Sequence, residues 1–215
     1  MKNKILIAGL LVIAIFIGFI ASNRAIPILM YHSISKTEDK ANILGINKDI
    51  FKWQMEYLQK HNYRVVSLKT AGDMIMQGKK IPPRSVVLTF DDGHRDFYTE
   101  AYPVIKKYKF NVAIFPTVYN TEAGNDYMNW AELNNLKEGG LVDIGSHGLC
   151  HQSLTRIPLL QAKEQIIASK AIFEKKLKKP VIFFSYPFGA VNDSIEEVVK
   201  EAGYESAVGT AYRKG

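Results

Sequence analysis

The sequence predicts an α/β protein built on a parallel sheet, because seven short apolar runs alternate with amphipathic stretches along most of its 215 residues. A second observation favours the same class: ionisable side chains directly follow several of the apolar runs. In a parallel sheet the carboxyl ends of the strands share one edge, and functional groups gather there. Either a closed barrel or a doubly wound sheet fits this pattern.

The predicted elements follow from the period of the apolar residues. The seven strands are Ile26–Tyr31, Tyr63–Ser67, Ser85–Phe90, Asn111–Pro116, Leu141–Ser146, Val181–Tyr186 and Tyr204–Gly209. Helical spacing of Phe51, Met55 and Leu58 predicts the first helix, and the same spacing predicts helices over Leu68–Gln77, Phe97–Tyr108, Trp130–Glu138, Leu159–Leu177 and Ser194–Ala202. In the long helix Leu159–Leu177, we expect the core-facing residues to be Ile166, Ile167, Phe173 and Leu177.

The N-terminus carries a separate signal. Ile5–Ala21 is an unbroken apolar run preceded by two lysines. Its seventeen residues, at about 1.5 Å each, approach the thickness of a bilayer core and exceed the roughly 7–15 residues of a cleavable signal. We therefore expect a signal anchor, a transmembrane helix, over residues 1–24 and a catalytic domain over residues 25–215. A cleaved signal peptide is the alternative, and both place the domain outside the cytoplasm, anchored or secreted.

Charge and cysteine content narrow the partners. The chain has a formal net charge of +7, yet its basic residues are not interleaved with aromatic ones, so we expect no nucleic-acid partner. A solvated surface or affinity for an anionic cell envelope explains the excess. Cys150 is the single cysteine, which excludes an internal disulfide. We expect a monomer.

Two polar motifs at strand ends predict a hydrolytic metal site. Asp91 and Asp92 end one apolar run, and His147 and His151, four residues apart, end another. Asp92 with the two histidines forms a ligand set that leaves a position open, as catalytic zinc sites do. Asp91 stays free as a general base and is expected to be ionised, with a pKa depressed by the cation. Each motif alone has an ordinary explanation, a helix cap for the carboxylates and a surface pair for the histidines. Their common edge favours the metal site.

These motifs resemble a known family. Thr89–Gly93 and Ser146–His151 resemble the first two motifs of polysaccharide deacetylases with a NodB-type domain, carbohydrate esterase family 4, and Phe184–Gly189 resembles the third. The opening segment Pro27–His32 is similar to the branch that acts on poly-N-acetylglucosamine. The resemblance extends over about residues 26–210.

The resemblance implies a distorted (β/α)7 barrel and metal-dependent removal of acetyl groups from an N-acetylated glycan polymer. The polymer is poly-N-acetylglucosamine, peptidoglycan or a chitin-like chain. One divalent ion, zinc with cobalt or nickel as alternatives, is held by Asp92, His147 and His151 in this reading. Asp91 is the base, and the backbone N–H of Phe188 stabilises the oxyanion.

The chain departs from the family pattern at two places. The third motif of the family has an arginine that orients the base, but Ser185 and Tyr186 stand in that stretch. The family places its general acid in a late Leu-x-His motif, whereas the last histidine here is His151. We therefore expect a domain short at its C-terminal end, with His32 as the general acid and His94 as the second choice.

Two other functions stay open at this point. An esterase that removes O-acetyl groups from glycans needs less help with its leaving group, which fits the missing acid. A metal-holding, glycan-binding pseudoenzyme is favoured by the same departures, but it has no use for Asp91. For either enzyme, Tyr127 and Trp130 are candidate walls of a sugar subsite, with packing in the core or rim as the alternative.

Overall fold

A computed structural model describes residues 25–35 and 44–210 and confirms the α/β class. The predicted anchor over residues 1–24 lies outside the described residues. Across the two described stretches, no helix combines the length and the apolar character needed to cross a membrane.

The strands agree with the predicted ones in position. They are β1 Ile28–Tyr31, β2 Ser33–Ser35, β3 Gly45–Asn47, β4 Arg64–Val65, β5 Ser85–Asp92, β6 Val112–Pro116, β7 Val142–Ile144, β8 Phe183–Ser185 and β9 Ser206–Val208. The small parallel pair β2–β3 was not predicted. Three residues are too few for an alternating pattern to stand out from the surrounding sequence.

The helices also lie where the apolar spacing predicts. They are α1 Lys48–Lys60, α2 Leu68–Met76, α3 Tyr102–Tyr108, α4 Val118–Ala123, α5 Trp130–Glu138, α6 Leu159–Leu177 and α7 Asp193–Glu201, with a π-helical turn over Phe97–Ala101. The short α4 was not predicted. In α6 the buried stripe includes Ala162, Ile166 and Phe173, but Ile167 is 50% exposed, so its predicted place in the core is wrong. One residue advances a helix by about 100°, which turns Ile167 out of the stripe.

The strands form an arc of parallel ladders around β5. β5 pairs with β1, β4 and β6, and β6 pairs with β7. A bridge between Ser146 and Phe184 joins this sheet to β8, which pairs with β9. Within the described residues no ladder joins β9 back to β1. The parallel core is thus confirmed, as an arc with an open seam between β9 and β1.

The crossing between β7 and its neighbours depends on one glycine. A Cβ on Gly145 would lie 2.5 Å from the Phe115 ring and 2.8 Å from the Phe183 carbonyl oxygen. Only a residue without a side chain therefore lets the chain after β7 run between β6 and β8. This passage delivers Ser146 and His147 to the carboxyl edge of the sheet.

Candidate metal and catalytic site

Four predicted site residues meet at the carboxyl edge of the sheet. Oδ1 of Asp92, at the end of β5, lies 3.6 Å from Nε2 of His147 and 3.3 Å from Nε2 of His151. The two imidazole rings are 4.8 Å apart, between centroids. The parallel sheet thus brings together two motifs separated by more than fifty residues.

The backbone at Asp92 is held in an unusual conformation. Asp92 has φ of 67° and Gly93 has φ of 78°. A Cβ on Gly93 would lie 2.6 Å from Cβ of Pro116, so the tight turn needs glycine there. Burial alone would raise the pKa of the Asp92 carboxyl, but His94 and the two ligand histidines outweigh burial and lower it to about 2. Asp92 is therefore ionised across the physiological range.

His147 is presented as a neutral ligand. Its side chain is buried, and its Nδ1 lies 2.7 Å from the carbonyl oxygen of Ser185. A carbonyl only accepts, so Nδ1 carries the proton and Nε2 offers a lone pair toward Asp92. Burial, with the nearby His151, lowers the pKa of His147 to about 4. This arrangement is the one that metal-binding histidines adopt.

The segment between His147 and His151 is a non-helical turn. Gly148 has φ of 83° and His151 has φ of 54°, both outside the range of a right-handed helix. The side-chain oxygen of Gln165 on α6 accepts hydrogen bonds from the N–H groups of Leu149 and Cys150, both at 3.1 Å. Cys150 itself is exposed rather than packed. The loop is thus fixed by α6.

The donor set fits a divalent transition metal. One ligand atom from each of Asp92, His147 and His151 can be chosen so that all lie within 4.8 Å of one another. Zinc bonds of about 2.0–2.2 Å to nitrogen and oxygen place neighbouring donors roughly 3.3–3.6 Å apart. The measured Asp92–histidine separations of 3.3 and 3.6 Å match that spacing.

Asp91 lies beside the ligands as a free, buried carboxylate. Its Oδ2 accepts a hydrogen bond from Oγ of Ser185 at 3.1 Å, and its Oδ1 is buried with no hydrogen-bond partner among the described residues. Burial raises the pKa of Asp91 to about 7, although the Ser185 bond opposes the rise. The direction is opposite to the depression expected from a neighbouring cation, because the protein groups alone leave the carboxyl desolvated.

These groups open into one cavity of about 620 Å³. His32, Asp91 and Phe188 all line it, together with apolar residues of β1 and β9 at the open seam. Phe188 has φ of 59°, its side chain is 67% exposed, and its ring centroid lies 4.4 Å from that of His151. His32 is half-buried, and burial lowers its pKa. Every predicted catalytic residue therefore faces the space beside the ligands.

Three other candidates lie outside the cavity, although Nε2 of His94 is 3.7 Å from Oδ2 of Asp92. The ring of His94 stacks on Tyr127 with centroids 5.0 Å apart, and both residues line a separate polar depression. Trp130 packs edge-on against Phe173, and its Nε1 donates to Glu122. Neither aromatic residue lines the cavity of the site, and the contacts of Trp130 with Phe173 and Glu122 favour the packing alternative for that residue.

Two residues that hold the site were missed. Ser185 contacts both Asp91 and His147, and its position in the third motif, where an arginine was expected, was the available signal. Gln165 carries no signal in the sequence, since a glutamine on the polar side of a long helix is ordinary. Its function follows only from the fold.

Comparisons with known proteins agree with this geometry. The family model described as polysaccharide deacetylase matches residues 78–207, more than half of the chain. YxkH of Bacillus subtilis (strain 168), whose name assigns it provisionally to the polysaccharide deacetylases, is 31% identical over 185 residues, which are 86% of this chain. The chain spans 64% of the length of that relative.

Two further relatives give a substrate name and a structure. A poly-beta-1,6-N-acetyl-D-glucosamine N-deacetylase of Staphylococcus aureus (strain MRSA252) is 27% identical over 81% of this chain and 68% of its own. The Streptococcus pyogenes deacetylase PplD, solved in complex with acetate, superposes with a TM-score of 0.79 at 27% identity, covering 86% of this chain and 83% of its own.

Removing the Asp91 charge should change how stability depends on pH. The folded-state pKa of about 7 lies above the ordinary 3.8, so the stabilising contribution of the neutral carboxyl is complete below pH 3.8 and is lost as the pH rises through 7. Relative to wild type, Asp91→Asn should therefore gain about 2–4 kcal/mol in free energy of unfolding between roughly pH 4 and 8. Urea unfolding of chelator-treated protein measures it.

The control for that measurement is Asp126→Asn, at an exposed carboxylate. The opposing contribution of His147 is common to all three proteins and cancels in the differences. A gap between Asp91→Asn and wild type that stays constant with pH would contradict the assigned burial of this carboxyl.

Metal affinity should depend on the ligand histidines. His151→Gln removes a half-exposed imidazole with little disturbance of the core, and we expect zinc affinity to fall at least about 100-fold. Competition with a chromogenic chelator measures the affinity. His61→Gln, on an exposed histidine at the end of α1, is the matched control and should bind zinc as wild type does. Equal affinity of the two variants would rule out this site.

Proposed function

We propose that this chain, which belongs to the polysaccharide deacetylase family, is a metal-dependent hydrolase that removes N-acetyl groups from a polysaccharide containing N-acetylglucosamine. The relative named for poly-beta-1,6-N-acetyl-D-glucosamine supports that polymer as the substrate. Peptidoglycan and chitin-like chains share the acetamido group and are the alternatives.

One observation carries the proposal: a free carboxylate lies buried beside an open three-ligand set. A structural metal site closes its coordination with four protein ligands and keeps no base next to it. Here Asp91 contacts only Ser185 through one oxygen, and its other oxygen has no partner among the described residues. Asp91 also lines the cavity, which supports its role as the proton acceptor. The same feature weighs against a binding-only protein.

Asp92, His147 and His151 would hold the metal, with zinc favoured by the mixed nitrogen and oxygen donors and cobalt or nickel also accepted. When bound, the ion polarises the amide carbonyl and lowers the pKa of water near it. The carbonyl oxygen of Ser185 keeps the bare Nε2 of His147 directed at Asp92. The protein thus supplies the ligand geometry before any ion arrives.

The remaining groups move protons. Asp91 takes a proton from the attacking water as the water oxygen bonds to the acetyl carbon. The backbone N–H of Phe188 donates to the oxygen of the tetrahedral intermediate. The carbon–nitrogen bond then breaks as the protonated form of His32 gives a proton to the departing nitrogen. His32 regains its proton from solvent, and Asp91 releases to solvent the proton that it took from water. The products are acetate and a free amino sugar.

We also propose an extracytoplasmic location, with the apolar run Ile5–Ala21 as a membrane anchor. The supporting observation is the length of that run, which reaches about the thickness of a bilayer core. A polymer at the cell surface is then within reach of the domain.

Acetate release tests the activity. Full-length protein stripped of metal and reloaded with zinc or cobalt should release acetate from β-1,6-linked N-acetylglucosamine oligomers. Asp91→Asn should lower kcat at least about 100-fold while keeping its zinc, because it removes the base and leaves the ligands in place. If wild type binds zinc and releases no acetate from β-1,6-linked, chitin or peptidoglycan oligomers, the proposal is wrong. Release from O-acetylated glycan alone would make it an esterase.

The general acid is tested by comparing leaving groups. An amine must be protonated as it departs, whereas p-nitrophenolate leaves unaided. His32→Ala should therefore lower kcat about 100-fold on the acetamido sugar and less than about threefold on p-nitrophenyl acetate. His61→Ala, on the exposed histidine at the end of α1, is the control. Equal losses of His32→Ala on the two substrates would assign His32 a structural role instead.

A further inference from the structure

Charge is divided unevenly between the two ends of the fold. The amino-end face is defined here as the last turn of six helices with the connection to the following strand, residues 57–64, 73–84, 105–111, 135–141, 174–182 and 198–205. It holds fourteen Lys or Arg against five Asp or Glu, a net charge of +9. The other described residues, which include the catalytic site, hold seven against fourteen, a net charge of −7.

Five lysines of this face lack acidic partners, whereas Lys176 contacts Glu122 at 3.8 Å. Among the residues that the structure describes, no carboxylate lies within 4.0 Å of the side-chain nitrogens of Lys79, Lys80, Lys107, Lys109 or Lys179. All five are exposed. Their charge is therefore available to an external partner.

The acidic residues of the face are already paired with lysines outside it. Asp73 and Glu205 both contact Lys69, at 3.4 and 3.6 Å. Glu201 contacts Lys163 at 3.5 Å, and Glu174 contacts Lys170 at 3.0 Å. Four of the five acids are thus paired with lysines outside the face.

Helix capping explains only part of this distribution. Lysines in the last turn of a helix interact favourably with its dipole, as Lys106 and Lys175 do at α3 and α6. The last turn of α2, however, contains no basic residue, and its lysines stand beyond the helix in the connection to β5. Lys179 likewise follows the end of α6. A capping requirement does not place lysines there.

We propose that the amino-end face docks on an anionic phospholipid surface, with the cavity of the site directed away from it. The chain reaches β1 from this end, where the carbonyl oxygen of Pro27 accepts a hydrogen bond from Val87. The apolar run Ile5–Ala21 precedes this end of the described chain in the sequence. The inference rests on the membrane anchor of the proposed function and adds the orientation.

The electrostatic logic is that of polybasic segments next to a membrane. Each lysine held near an anionic surface strengthens binding roughly fivefold, within a Debye length of about 8 Å. The amino-end face, with a net charge of +9, satisfies this condition. The other described residues, which include the site and have a net charge of −7, are repelled by such a surface. Attraction of the basic face and repulsion of the remaining residues both orient the carboxyl edge of the sheet away from the membrane, toward a polymer at the cell surface.

Lysine acylation of the full chain in vesicles tests the orientation. The protein is reconstituted in phosphatidylcholine alone or with about 30 mol% phosphatidylglycerol, treated with an amine-reactive ester, and mapped by peptide mass spectrometry. In the anionic vesicles we expect Lys79, Lys80 and Lys179 to be acylated at least about threefold less, and about 0.5 M NaCl to remove the difference. Lys48 and Lys52, in the first turns of α1 on the other half, are the internal controls and should not change.

A pair of variants matches the number of charges removed. Lys79→Gln, Lys80→Gln, Lys175→Gln and Lys179→Gln together should abolish the protection of Lys106 and Lys107 by anionic vesicles. Lys48→Gln, Lys52→Gln, Arg156→Gln and Lys163→Gln together should leave that protection unchanged. Circular dichroism establishes that both variants fold. The acylation pattern of the wild-type protein tests the orientation even if a variant does not fold.

The outcomes separate docking from anchoring. If the protein does not float with neutral vesicles, the membrane anchor is contradicted but the docking is not. Protection of the lysines from acylation by anionic vesicles then still tests whether the amino-end face docks. Equal acylation of Lys79 and Lys80 in the two kinds of vesicle overturns the docking, whatever the anchor does. Equal protection by soluble polyglycerol phosphate also overturns it and assigns the face to a soluble anionic polymer.

Discussion

The structure depends on how two adjacent carboxylates are accommodated at the buried end of one strand. Asp91 and Asp92 are the last two residues of β5, a strand that is buried along its length, and an unpaired charge is costly there. The protein resolves this by giving the two carboxyls different surroundings: Asp92 faces three histidines, and Asp91 faces one hydroxyl. Burial raises the pKa of Asp91 to about 7, while the histidines overcome burial and lower that of Asp92 to about 2, the kind of separation that acid–base sites require.

Ser185 couples these two environments. Its hydroxyl donates to Asp91, and its carbonyl accepts from His147, so one residue of β8 orients both side chains. β8 itself is joined to the main sheet through the bridge from Ser146 to Phe184 and the passage past Gly145. A shift of β8 would therefore move Asp91 and His147 together. The family arginine is replaced here by a shorter, neutral donor that needs the strands to lie this close.

Much of the fold and the ligand set could be predicted from the sequence. The apolar period located the main strands and most helices, because burial on one face imposes a regular spacing. Asp92, His147 and His151 could be predicted because the ends of parallel strands share an edge. Ser185, Gln165 and the short α4 could not, since their contacts join residues far apart and leave no local pattern. Ile167 was misplaced for a related reason: an apolar side chain at the edge of a core can face several surroundings.

Three residues around the site have left-handed backbone conformations that suit glycine: Asp92, His151 and Phe188, with φ between 54° and 67°. Such conformations cost of order 1–3 kcal/mol each for other residues, and the surrounding packing sustains them. Glycine at any of them would relax the backbone while removing a ligand or the ring beside it. Selection for heat tolerance and selection for turnover therefore act in opposite directions at these positions. A laboratory evolution that screens only for survival on heating would drift toward a sturdier, inactive protein.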